Sequence, residues 1–126
     1  MGPAPPHAAA SRRAPVLLLG LMADKDAREI VGVLAALEPA HVVCTSAAQQ
    51  DASSSPPHDL ARLVHARTGR AAVALPELDA ALGSALAAAR ERGTFLVAVG
   101  SLRLCGAVRS NRRIVAAGED AGKASE

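Results

Sequence analysis

Aromatic residues are almost missing from this 126-residue chain: Phe95 stands alone, with no Trp and no Tyr. That excludes the base-stacking platforms on which many single-strand nucleic-acid binders depend. Phe95 is expected in an otherwise aliphatic, alanine-rich core. Excess charge is scarce too. Fourteen Lys and Arg against twelve Asp and Glu leave a formal +2, too little for a nucleic-acid-binding stripe. The small cluster Arg109, Arg112 and Arg113 reads as a solvated face past the last helix. No run approaches the ~20 apolar residues needed to cross a bilayer. Arg12 and Arg13 precede the apolar Val16–Leu19, but Asp24-Lys25-Asp26 follows without a small-residue cleavage site, so a signal peptide is rejected. A cytoplasmic protein, bound to neither nucleic acid nor membrane, is the expectation.

Cysteine and histidine are equally sparse. Cys44 and Cys105 form no C-x-x-C pair, and they read as small hydrophobes in a reducing compartment. His7, His41, His58 and His65 fit no metal-ligand spacing and read as structural or surface residues. The chain also lacks a phosphate-cradling P-loop, a G-x-G-x-x-G fingerprint and a Gly-x-Ser-x-Gly elbow. Ser101 has no evident His and acid partners for nucleophilic catalysis. No catalytic or metal-ligating residue is therefore assigned.

What is present is a globular pattern, with half of the residues hydrophobic and 21% charged. Residues 1–14 read as a disordered lead-in, 15–115 as one folded domain and 116–126 as a polar tail. Within the domain, short apolar strands alternate with longer amphipathic segments. Strands are expected at 16–19, 41–45, 71–75 and 95–99. The first helix starts near Asp26, because Asp26-x-x-Glu29 resembles a capping box, and Ile30, Val33, Leu34 and Leu37 mark its buried stripe. Pro39 ends that helix by disfavouring helical backbone at Glu38. The loop Ser46–Pro57 is long for a strand-to-helix connection, a length typical of mobile or functional loops. Leu60, Leu63 and Val64 mark a second helix closed at Gly69. Leu78, Leu82, Ala85, Leu86 and Ala89 mark a third, stopped at Gly93, and Leu102–Arg109 forms a fourth. This alternation predicts an α/β fold, a Rossmann-like three-layer sandwich with a mainly parallel sheet, right-handed crossovers and helices on both faces.

Two strand ends carry the candidate chemistry. Gly20-Leu21-Met22-Ala23-Asp24-Lys25-Asp26 follows the first strand, and Gly100-Ser101-Leu102-Arg103-Leu104-Cys105-Gly106-Ala107-Val108-Arg109 follows the fourth. In open α/β sheets, ligands bind outside the carboxyl ends of strands. Lys25 could meet a carboxylate or phosphate beside a helix N-terminus, with Asp24 and Asp26 orienting it or holding a cation. Equally, Asp26 caps the helix while Lys25 stays in solvent. Gly100 permits a tight turn and close backbone approach. Ser101 either caps the next helix or helps receive an anion. Gly106 is expected to let helix pack closely on sheet.

Taken together, Leu18-Leu19-Gly20-Leu21-Met22-Ala23-Asp24-Lys25-Asp26 and Gly100-Ser101-Leu102-x-Leu104-x-Gly106-x-Val108-Arg109 resemble linked signatures of one family. They are similar to the strand-to-DKD and GSLxLxGxVR segments in the C-terminal domain of folylpolyglutamate synthase/dihydrofolate synthase, in the Mur ligase superfamily. The order and separation agree, as does the intervening Val42-Val43-Cys44-Thr45 strand end, and the likeness covers about residues 15–110. It implies an ATP- and Mg²⁺-dependent ligase that joins glutamate to a folate or pteroate carboxylate through an acyl phosphate. Lys25 and Ser101 would hold glutamate carboxylates, and Asp24, Asp26 and Gly100 would line the cleft.

The departures matter as well. The family's domain opens with an Asp-x-Ala-His-Asn-Pro segment and a helix, where this chain has its Pro/Ala lead-in. It also commonly carries a Pro-Arg-Ala-like stretch where this chain reads Ser54-Ser55-Pro56-Pro57-His58, and Arg103 replaces an aromatic or His. The fold is thus expected to be incomplete at its N-terminal βα unit, leaving apolar surface that favours self-association. Without a P-loop domain, for which a separately encoded ligase partner is the candidate, the chain should not complete the reaction alone. The alternative is a non-catalytic remnant or accessory α/β binding module.

Overall fold

The computed structural model describes residues 14–48, 53–111 and 114. His7, Arg112, Arg113, nearly all of the expected lead-in and the polar tail lie outside the described residues. The chain runs β1 (Val16–Gly20), α1 (Ala27–Ala35), β2 (His41–Cys44), α2 (Pro57–Thr68), β3 (Val73–Ala74), α3 (Leu78–Arg92), β4 (Leu96–Gly100) and α4 (Leu102–Ser110). The described strands form one four-stranded sheet in the order β3-β2-β1-β4. Every pairing is parallel, with Leu18 opposite Val43 on one side and Ala98 on the other.

Side-chain alternation along β1 divides the core into two layers. Val16 and Leu18 pack with Val43 against Leu82, Ala85 and Ala89 of α3 and Leu104 and Val108 of α4. Leu17 and Leu19 face the other way, with Val42 and Cys44, against Val31 of α1 and Leu60 and Val64 of α2. The three-layer α/β sandwich is therefore present. Helix placement follows from crossover handedness. The chain steps β1 to β2 to β3 in one direction with α1 and α2 on one face, then returns past β1 to β4 with α3 on the other.

Local signals act where the sequence places them. The Asp26 carboxylate accepts the Glu29 amide at 3.1 Å and caps α1. Gly69 and Gly93 close α2 and α3 in the left-handed conformation. The helix before Pro39 stops earlier than its apolar pattern suggests, at Ala35, and Glu38 takes a left-handed φ of 49°. Proline disfavours right-handed helix at the residue before it, and here the chain escapes that conflict through an uncommon conformation.

Three expectations about packing are corrected. Phe95 is not core: it precedes β4 and is 51% exposed. Val33 and Leu37 are 67% and 55% exposed, because α1 buries the stripe Ala27, Ile30, Val31 and Leu34. Val33 lies about 200° around the helix from Val31, and Leu37 falls beyond the last turn. Gly106 is exposed, and a Cβ built there meets nothing within 4 Å, so it mediates no close packing. Both cysteines are free thiols, Cys44 buried and Cys105 half-buried. Among the described residues no helix is long and apolar enough to cross a membrane.

Candidate functional site

Strand order reverses between β1 and β4, and the crevice outside the carboxyl ends of strands at such a point is where open α/β sheets bind ligands. The two glycine-marked segments meet there. Gly20 is register partner to Gly100, and the Ser101 amide donates to the Gly20 carbonyl at 3.3 Å.

That junction depends on the absence of side chains. Gly100 has φ +142°, a conformation L residues rarely adopt, and a Cβ on it would lie 1.8 Å from the Gly20 carbonyl oxygen. At Gly20 a Cβ would press on Leu104 Cδ2 at 3.1 Å and on Ala47 Cα and the Thr45 carbonyl at 3.2 Å. The close approach anticipated at Gly100 is therefore made to another strand's backbone.

Beyond Gly20 the chain leaves the sheet in a turn, closed by the Lys25 amide donating to the Met22 carbonyl at 3.1 Å. Asp24 and Lys25 are exposed on it. They border an open hollow of about 640 Å³ together with Met22, Ala23 and Ser53. Ser53 arrives from the long loop after β2, which folds back as an antiparallel bridge between Met22 and Ser54. The Ala23 amide donates to the Ser53 carbonyl at 2.6 Å, and the Ser55 amide to the Leu21 carbonyl at 2.7 Å. The Ser54 hydroxyl accepts the Ala47 amide at 2.6 Å. Beside it Thr45, fully buried, donates its hydroxyl to the Pro76 carbonyl at 3.1 Å. Buried hydroxyls need such partners, and here they lace the ends of β1, β2 and β3 into one rim.

The site residues expected from the sequence separate into two groups. Asp24 and Lys25 face the hollow, whereas Asp26 holds the first turn of α1, and Gly100 and Ser101 are not among the hollow's lining. Ser101 caps α4 by accepting the Leu104 amide at 3.1 Å. No site role was assigned to Ser53, Ser54 or Thr45 from sequence, although Thr45 closes the Val42-Val43-Cys44-Thr45 strand end and Ser54 opens the stretch that departs from the family. The unusual length and serine content of the 46–57 loop were the other signal.

Titration adds one exclusion. Burial pushes the Cys44 thiol up to about 12, which disfavours it as a thiolate nucleophile. His41, at the opposite end of the sheet, is lowered by burial and then by the Arg92 charge. Among the described residues no group of three His, Cys, Asp or Glu side chains can hold a metal ion. With no P-loop in the sequence, these residues do not by themselves fit an ATP–Mg²⁺ site, and no step through that cofactor is assigned to them.

No protein-family model matches the chain, and no curated protein matches it. Solved structures do. One, of Mycobacterium tuberculosis folylpolyglutamate synthase complexed with ADP and AMPPCP, superposes with a TM-score of 0.70 at 24% identity over 78% of this chain. The chain shares the fold of a segment of that synthase. A second structure of that synthase, complexed with ADP, gives a TM-score of 0.67 at 21% identity over the same 78%. In each case the chain spans 23% of the synthase's length. The fold expected from the DKD and GSL segments is therefore observed, and it is shared with part of a solved folylpolyglutamate synthase.

Proposed function

We propose that this chain serves as the C-terminal part of an ATP-dependent folylpolyglutamate/dihydrofolate synthase-type ligase, forming one wall of the cleft in which glutamate is joined to a folate or pteroate carboxylate. One observation carries the reading. The DKD and GSL segments, far apart in sequence, meet at Gly20 and Gly100 on the switch point of a sheet that shares its fold with a solved synthase.

In this reading Lys25 offers an ammonium to a glutamate carboxylate over the open hollow, with Asp24 beside it on the same turn. Ser101 contributes from the neighbouring strand end while capping α4. Positioning the incoming amine against an activated carboxylate lowers the entropic part of the barrier. ATP and Mg²⁺ would be held by another domain, which would supply the carboxylate in activated form; the glutamate amino group would attack it, forming the amide as phosphate leaves.

The test is reconstitution. The full chain, mixed with or fused to the P-loop portion of a folylpolyglutamate synthase, should restore ATP- and glutamate-dependent extension of a folate. The chain alone should show none. Failure of every such combination to turn over, with both parts folded, rejects the ligase reading, and turnover by the chain alone rejects its dependence on another domain.

A further inference from the structure

The loop after β2 is fastened to the sheet by a hydroxyl that the proposed chemistry does not use. The Ser54 hydroxyl accepts the Ala47 amide at 2.6 Å, and Ala47 is buried. Ala47 stands just beyond the firm end of β2, where the Thr45 amide donates to the Leu19 carbonyl at 2.9 Å and the Thr45 hydroxyl to the Pro76 carbonyl at 3.1 Å. Leaving a buried amide unpaired is costly, so the hydroxyl keeps the returning loop against the sheet.

From Ser54 the loop grips the exit of β1 on both sides. The Ser53 carbonyl accepts the Ala23 amide at 2.6 Å, and the Ser55 amide donates to the Leu21 carbonyl at 2.7 Å. The next bond along, from the Lys25 amide to the Met22 carbonyl at 3.1 Å, closes the turn that carries Lys25. On the far side of Lys25, Asp26 caps α1. Lys25 is thus suspended between two anchors, the helix and the loop. Its side chain is exposed, so the backbone decides where its ammonium stands. Ser53 lines the same hollow as Asp24 and Lys25, and the Ala23–Ser53 bond therefore also sets the spacing of the hollow's walls. Backbone bonds at an exposed rim open easily on their own. The Ser54 hydroxyl biases this pair closed.

We propose that Ser54 is a positioning residue for the glutamate contact: its hydroxyl holds residues 53–55 so that the turn sets Lys25 at the height over the hollow where a carboxylate meets it. This rests on the ligase reading given above. Ser54 acts through Lys25 and not on the ligand, because it is half-buried and is not among the hollow's lining. The resemblance does not supply this clasp, since the family commonly carries a Pro-Arg-Ala-like stretch where this chain has Ser54-Ser55-Pro56. The hydroxyl thus takes up in this chain a task that neither strand-end motif performs.

The experiment uses the full chain, alone and reconstituted with the P-loop portion of a folylpolyglutamate synthase. In the ligase, Ser54→Ala should raise the KM for glutamate about fivefold, as misplacement of a binding group does, with kcat and the KM for ATP little changed. Ser54→Thr keeps the acceptor and should restore the KM. Added to Lys25→Ala, Ser54→Ala should raise the KM no further, because both act through one contact. In the chain alone, NMR order parameters at Asp24 and Lys25 should fall from the rigid range to below about 0.6 in Ser54→Ala and recover in Ser54→Thr. If the Ala variant unfolds, Ser54→Cys replaces it, with similar size and a weak acceptor. An unchanged KM for glutamate, an equal rise in the KM for ATP, or full additivity with Lys25→Ala would each overturn the proposal. If the unmutated chain yields no turnover with any P-loop portion, the ligase reading is what fails. The order parameters then decide: unchanged values overturn the control of Lys25 by Ser54, and lowered values uphold it.

Discussion

The ends of β1 and β4 look alike in sequence, each an apolar strand closed by glycine and followed by polar residues, yet the fold uses them in opposite ways. β4 passes directly into α4. Its glycine is pressed on Gly20 and its serine hydroxyl is occupied by the Leu104 amide. β1 instead leads into a turn that holds Asp24 and Lys25 out over an open hollow, with a folded-back loop as its wall. The β4 end supplies geometry and the β1 end supplies charge. A strand-end motif is therefore not one kind of site, and mutation should separate the two roles.

The largest effect is expected at the β4 end. Gly100→Ala places a methyl against the Gly20 carbonyl at 1.8 Å in a backbone conformation that alanine resists. Overpacking and strain together should cost more than about 3 kcal/mol, among the large effects for single substitutions. Urea denaturation should find the variant largely unfolded or expanded. Near-wild-type stability would mean that the two strand ends do not touch as described.

Next comes the loop that walls the β1 side. Ser54→Ala leaves the Ala47 amide without its 2.6 Å partner, at a cost of about 1–2 kcal/mol for a partly buried donor. Amide exchange should quicken at Ala47 and at Ala23 more than in the α3 core. Ser101→Ala should cost about 1 kcal/mol, as loss of a helix cap does, with faster exchange confined to the first turn of α4. If Ser54→Ala instead loosened α4, the two ends would be mechanically one unit and the contrast drawn between them would fail.

How much of this was legible in the sequence depends on the range of the interaction involved. Asp26 capping Glu29, Ser101 capping Leu104, and the stops at Gly69 and Gly93 are decided within four residues, and the sequence states them openly. The parallel order follows from alternation and handedness. Phe95 and Val33 were misread because exposure depends on which neighbours arrive, and among the described residues little covers them. The pairing of Ser53–Ser55 with Leu21–Ala23 joins positions about thirty residues apart by backbone hydrogen bonds, which no side-chain pattern records. Gly106 shows the converse: a glycine inside a recognisable signature, with open space around it.

The smallest stability effect is expected at the residue proposed to meet the ligand. Lys25 is exposed, and among the described residues its ammonium has no hydrogen bond or ion pair, so nothing in the fold depends on it. Lys25→Ala should leave the denaturation midpoint unchanged. In the reconstituted ligase the same substitution should raise the KM for glutamate at least tenfold, since a charge-assisted contact to a carboxylate is roughly twice as strong as a neutral one. Lys25→Arg should recover part of that loss. A stability loss without a KM change would move Lys25 into the scaffold, beside Gly100. A KM change without a stability loss would leave the division between the two strand ends as the geometry draws it.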